Sequence, residues 1–166
     1  GTAAIVEFPG VLYRGGAEQK IRKYLIDNNY VDAVIQLPPD LFFGTTIATC
    51  VIVLKKSKKD NKTLFIDASA EFVRGGNKNK LTESNRAKIL ESFIARKDKM
   101  HFAKLIDNKT IAENDYNIAV SSYVAQEDTR EVVDIKELNK EIAQIVRRQN
   151  ELRSAIDEIV ADIEEK

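Results

Sequence analysis

Leu138, Ile142, Ile145, Gln149, Leu152, Ile156, Ile159 and Ile163 follow one another at intervals of 4, 3, 4, 3, 4, 3 and 4 residues. This is the a/d seam of a heptad repeat. It predicts one helix from roughly Asp134 to Glu165, free of Gly and Pro, with charges on its outer face. At 1.5 Å per residue that helix is about 45 Å long. Such a seam wants a partner helix. Gln149 within it points to a specific one, because a single buried polar a/d residue fixes register at some cost in stability. Packing of the helix on its own domain is the alternative.

The remainder alternates between strand and helix patterns. Ala3 to Phe8 is a continuous apolar run broken only by Glu7, as in a strand covered on both faces. A core strand at residue three, with no initiator Met, implies a piece of a larger protein. Pro9-Gly10 ends it, and Ile21, Tyr24 and Leu25 mark a helix over residues 17–28. Val31 to Leu37 reads as a second strand stopped by Pro38-Pro39. This strand-helix-strand unit predicts parallel pairing of the right-handed kind. Ile47 to Leu54, rich in β-branched residues, reads as a central third strand. The nine intervening residues, 38–46, are too few for a helical crossover, so it returns antiparallel. Thr63 to Asp67 is a fourth, shorter strand, and Thr82 caps a helix to about Lys97 with Ile89, Leu90, Phe93 and Ile94 inward. Ile111 to Tyr123 reads as irregular. The expected fold is α/β with a mixed sheet. We divide it into a sheet portion over 1–73, a basic helix and irregular tail over 74–133, and the heptad helix over 134–166.

Twenty-six basic and 26 acidic residues give zero net charge, but residues 55–109 carry 15 basic and 7 acidic groups, and residues 110–166 carry 7 and 14. The chain is dipolar. Its longest apolar run is far short of the ~20 residues of a membrane span. A lone Cys50 and a lone His101 leave little for a disulfide, a zinc site or a His-based triad, and a reducing cytoplasm fits. None of the seven glycines forms a G-x-G, so neither a dinucleotide fingerprint nor a phosphate-binding P-loop is present. Cys50, mid-strand, is read as core. Arg14-Gly15-Gly16 and Arg74-Gly75-Gly76 set backbone N–H groups beside a guanidinium, an arrangement suited to phosphate, although a plain turn needing positive φ has the same sequence.

The runs G-V-L-Y-R-G-G-A-E-Q-K-I-R-K, A-V-I-Q-L-P-P-D-L-F-F-G-T-T-I-A-T-C-V-I-V-L-K-K, L-F-I-D-A-S and E-N-D-Y-N-I-A-V-S-S-Y-V closely resemble the modification subunit of type I restriction-modification systems over nearly the whole chain. The resemblance implies an S-adenosylmethionine-dependent methyltransferase acting on adenine N6 in DNA, assembled with a specificity subunit and a restriction subunit. It implies the distal part of a Rossmann-like methyltransferase sheet. The family's Gly-rich cofactor turn and Asn-Pro-Pro-Phe/Tyr tetrad lie upstream of these residues, so the chain alone is expected to be inactive, with no cofactor and no metal bound. Leu37-Pro38-Pro39-Asp40 lacks the Asn whose side-chain carbonyl would accept from the adenine amino group, so it receives no catalytic role.

By the same resemblance, Phe42, Phe43, Gly44 and Thr45 lie beside the target-base pocket. A flipped adenine needs a face to stack on; Phe43 is preferred and Phe42 is the other candidate. Arg14, Arg74, Lys78 and Lys80 are candidates for DNA phosphates, the alternative being a solvated basic face. The heptad residues Leu138, Ile142, Ile145, Gln149, Leu152, Ile156, Ile159 and Ile163 are assigned to the specificity subunit, with self-association expected of the isolated chain. A second functional reading is a non-enzymatic nucleic-acid-binding module that oligomerises through its terminal helix.

Overall fold

A computed structural model describes residues 1–126 and 135–164. The chain forms two compact units, Gly1–Glu127 and Asp128–Lys166. In the first, a five-stranded sheet has the order β1-β3-β2-β4-β7, built from β1 (Thr2–Glu7), β2 (Val31–Gln36), β3 (Cys50–Lys55), β4 (Lys62–Asp67) and β7 (Ala103–Asp107). A two-stranded hairpin, β5 (Val73–Gly75) and β6 (Lys78–Lys80), stands apart from it.

Strand alternation sends side chains to two layers. Val34, Cys50 and Phe65 join Leu12, Ile26, Ile111, Ile118 and Val120 on the face covered by α1 (Ala17–Asp27) and α3 (Asn108–Glu113). Ala33, Ile35, Val53, Leu64 and Ile66 face the other way, where Ile89 and Phe93 of α2 (Glu83–Ala95) pack. Thr82 caps α2 as expected: its Oγ1 accepts from the Asn85 N–H, and the Asn85 side chain accepts in return from the Thr82 N–H. β3 returns antiparallel to β2, as its short connection requires, and β4 lies parallel to β2.

Several expectations change. β3 lies between β1 and β2, so those two strands point the same way without pairing. Among the described residues β1 pairs only with β3, and Thr2 to Val6 are exposed: it is an edge, not a doubly covered strand. In α1 the buried positions are Arg22 and Ile26, while Ile21 and Tyr24 face outward. Arg22 earns its inward place by hydrogen bonding, since Nε donates to the Tyr116 carbonyl and Nη1 to the Val11 carbonyl, each at 2.8 Å. Leu90 and Ile94 of α2 are also exposed. β7, in a region read as helix and irregular tail, completes the sheet by pairing antiparallel with β4.

The second unit holds α4 (Ile135–Glu164), a helix of 30 residues. Leu138, Ile142, Ile145, Leu152, Ile156, Ile159 and Ile163 are all exposed. Their spacing puts them on one face.

At the turn between β3 and β4, Lys58 Nζ donates to the Val31 carbonyl at 2.8 Å. Burial pushes this ammonium down to about 8, with Arg96 adding repulsion. Between pH 8 and the ordinary lysine value of 10.5 the unfolded chain therefore binds more protons than the folded one, and stability rises with pH across that window. Lys58→Met is expected to abolish this rise and to stabilise the fold at pH 7 by up to about 1 kcal/mol, the shift being discounted for solvent screening. The Val31 carbonyl keeps a donor in Thr63 Oγ1 at 3.1 Å. Urea denaturation of both proteins at pH 7 and pH 10 checks this.

Candidate functional site

Glu7, Cys50, Gln36 and Asp67 are register partners across four adjacent strands. β1, β2 and β4 run in one direction, so the segments following Glu7, Gln36 and Asp67 all leave from one end of the sheet. That is the carboxyl end, outside which open α/β sheets bind their ligands. These three segments contain Arg14, the run Phe42 to Thr45, and Arg74, Lys78 and Lys80. The fold thus gathers the nominated residues of the first unit at one end.

The segment 37–49 closes on itself, with the Leu37 N–H donating to the Thr49 carbonyl at 2.9 Å. Gln36 Nε2 donates to the same carbonyl at 3.1 Å. Within the loop Asp40 has φ 58° and Gly44 has φ 81°. The left-handed region suits Gly44, and Asp enters it more readily than most residues, with contacts from the surroundings stabilising it at Asp40. Phe43 is fully solvent-exposed, at 101%, against 42% for Phe42. Phe43 thus offers its ring to whatever approaches this end.

Asp40 is the hub that the sequence reading missed. Its Oδ2 pairs with Arg74 Nη1 and its Oδ1 with Lys78 Nζ, each at 2.7 Å. Lys78, then Arg74, hold the Asp40 carboxyl below the ordinary carboxylate range, so both pairs persist at neutral pH. Lys78 Nζ also donates to the Thr45 carbonyl at 3.0 Å. Buried Asn79 donates Nδ2 to the Pro39 carbonyl at 2.8 Å and its N–H to the Asp40 carbonyl at 3.0 Å. Arg74 further donates to Asn79 Oδ1 at 3.1 Å and to the Asn77 carbonyl at 3.2 Å. No local pattern announces this, since the partners lie 34 to 40 residues apart.

Arg14 and Lys80 have no carboxylate partner among the described residues. The Arg14 guanidinium lies over Gly10, where a Cβ would come within 2.9 Å of Cζ. Lys80 runs its stem across Gly75 in the same way, 2.8 Å from a Cβ placed there. Thr49 Oγ1 is buried with no hydrogen-bond partner among the described residues. Burial raises the Cys50 thiol to about 11, which leaves no thiolate for nucleophilic work at neutral pH. Among the described residues no three His, Cys, Asp or Glu side chains group to hold a metal ion, and no helix is long and apolar enough to cross a membrane.

The profile of the N-6 DNA methylase family matches residues 1–132, most of the chain. The chain belongs to this family. Among N-6 DNA methylases, it is 50% identical over 164 residues to the type I restriction enzyme MpnII methylase subunit of Mycoplasma pneumoniae, covering 98% of this chain and 30% of that protein. It is 34% identical over 166 residues to the MjaVII methylase subunit of Methanocaldococcus jannaschii, covering 96% and 28%. The crystal structure of a type I restriction-modification methyltransferase subunit from Streptococcus thermophilus superposes with a TM-score of 0.73 at 46% identity, over 75% of this chain and 26% of that one. This N-6 DNA methylase chain therefore spans about three-tenths of the length of the relatives it matches.

Proposed function

We propose that the chain is the carboxyl-terminal part of the modification subunit of a type I restriction-modification system, which transfers a methyl group from S-adenosylmethionine to adenine N6 in DNA. The observation that carries this is the 50% identity, sustained over nearly the whole chain, to a type I methylase subunit more than three times as long. The exposed edge strand β1, with Ile5 and Val6 open to solvent, fits a Rossmann-like sheet that continues beyond it. The sequence contains neither a G-x-G turn nor an Asn-Pro-Pro tetrad. We assign the cofactor and the methyl transfer to residues outside this segment.

The segment's own part is to shape the target-base end of the site and to join subunits. Phe43, exposed on a loop beyond the carboxyl end of β2, is placed to stack on a flipped adenine, with Phe42, Gly44 and Thr45 around it. Arg14 and Lys80, without a carboxylate partner among the described residues, are suited to DNA phosphates. Through α4 the subunit docks on the specificity subunit, and the restriction subunit joins that assembly in the cytoplasm.

Titration calorimetry of the 166-residue chain with S-adenosylmethionine tests the division of labour. No heat of binding from the chain, beside stoichiometric binding by the intact subunit, is expected; stoichiometric binding by the chain would place the cofactor site within it and end this reading. In the intact modification enzyme, Phe43→Ala is expected to lower methylation about ten- to a hundredfold, because stacking of one base on an aromatic ring is worth about 1–3 kcal/mol. An unchanged rate would remove Phe43 from the pocket.

A further inference from the structure

We propose that the β5–β6 hairpin is the positioning element of the target-base loop, and that Asp40, Arg74, Lys78 and Asn79 hold the loop backbone instead of binding DNA. This inference rests on the reading of residues 41–46 as the segment beside the target base.

The contacts fall on both ends of the loop. At its start, Asn79 supplies donors to two successive carbonyls, those of Pro39 and Asp40. At its far end, Lys78 supplies a donor to the Thr45 carbonyl. Phe42, Phe43 and Gly44 lie between these anchors. Asp40, at φ 58°, occupies a region that is uncommon for a non-glycine residue, although less so for Asp, and that neighbouring contacts stabilise. Here the two ion pairs at its carboxylate and the bond at its carbonyl do so. The hairpin is short, with only three residues in each strand. Its register sets Arg74 opposite Asn79 and Gly75 opposite Lys78, so the three donor residues come from one compact turn.

The same contacts occupy two of the hairpin's three cations, Arg74 and Lys78. An ammonium has three donors, and two of those on Lys78 are engaged, by the Asp40 carboxylate and the Thr45 carbonyl. Arg74 places Nη1 on Asp40 and Asn79, and Nη2 on the Asn77 carbonyl. With one donor left, a phosphate could bind Lys78 through more than that single N–H only by displacing the Asp40 carboxylate or the Thr45 carbonyl, and so by loosening the loop. Positioning and phosphate binding are therefore competing roles for this side chain, and a single experiment separates them.

The experiment uses the intact modification enzyme with its specificity subunit and a duplex carrying 2-aminopurine at the target adenine. For Lys78→Met and Asp40→Asn the rate constant kcat is expected to fall ten- to a hundredfold, with loss of the 2-aminopurine fluorescence that reports base extrusion, since misplacement by about 1 Å can cost a hundredfold. KM for DNA and the salt dependence of binding are expected to stay unchanged. Lys78→Arg, which still reaches Asp40 with a cation, is expected to restore most of kcat. A uniform weakening of DNA binding by Lys78→Met, with the slope of log K against log salt reduced by about one, would make Lys78 a phosphate ligand and overturn the proposal. Unchanged kcat in Lys78→Met, together with a loss in Phe43→Ala, would overturn the hairpin's role alone. If neither variant alters rate or fluorescence, the reading of the loop fails and the proposal falls with it. Thermal melting of Lys78→Arg and Lys78→Met, expected to coincide within a few degrees, separates loop placement from general unfolding.

Discussion

Phe65→Ala is expected to destabilise the sheet unit by about 3–5 kcal/mol, the range for removing a fully buried phenylalanine from a well-packed core. Phe65 is 0% exposed and lies mid-way along β4, facing Val34 across the parallel pair and Lys104 across the antiparallel one. Its ring packs on Tyr123 at 4.4 Å between centroids. Tyr123 is itself fixed, because its hydroxyl donates to the Asn117 carbonyl at 2.6 Å and accepts from Asn114 Nδ2 at 3.2 Å. The truncation would thus open a cavity beside a ring that cannot swing in to fill it. For a domain whose whole stability is about 5–15 kcal/mol, that is a large share. The midpoint of guanidinium denaturation should fall with an unchanged m-value. Phe65→Leu should cost far less, since it retains most of the volume. A loss below about 1 kcal/mol in the alanine variant would mean that the segment carrying Tyr123 does not close this face.

That segment shows where the sequence stops being informative. β2, β3 and β4 announce themselves through dense β-branched runs, and α2 through Thr82 and its reciprocal partner Asn85. β7 does not, because Ala103 to Asp107 is five residues with Lys104 second among them, and its strand character comes from pairing with β4 some forty residues earlier. β1 misleads in the opposite way. Its apolar composition reads as core, yet among the described residues only β3 lies beside it. Arg22 is invisible to any hydrophobic pattern, because its buried place is decided by its bonds to the Tyr116 and Val11 carbonyls, distant groups that only the fold brings to it. The candidate site follows the same logic. Phe43 and the basic residues could be nominated from type and resemblance, but that Arg74 and Lys78 converge on Asp40 is a long-range fact. Asp40 follows two prolines and carries no local signal at all.

In α4 the periodicity needs no tertiary information, which lets the consequence of disrupting it be stated sharply. Ile145 and Leu152 lie seven residues apart on the seam, 66% and 51% exposed. On docking against a partner helix, each would contribute about 1.5–3 kcal/mol from apolar burial. Ile145→Asp with Leu152→Asp would remove both contributions and also bring two carboxylates to an apolar interface, which weakens docking further. At about 1.4 kcal/mol per tenfold, the loss corresponds to at least a hundredfold to ten-thousandfold in the dissociation constant. The isolated 166-residue chain is expected to self-associate through this seam in sedimentation, and the double variant to run as a monomer. The same variant in the intact subunit should no longer co-purify with the specificity subunit. Far-ultraviolet circular dichroism of the intact subunit should change little, because β1 to β7 and α1 to α3 lie outside the substituted segment. Retention of the specificity subunit by the double variant would show that the seam does not hold that partner, whatever happens to self-association. A variant that loses both interactions would identify one surface serving both, with the isolated chain's oligomer standing in for the native contact.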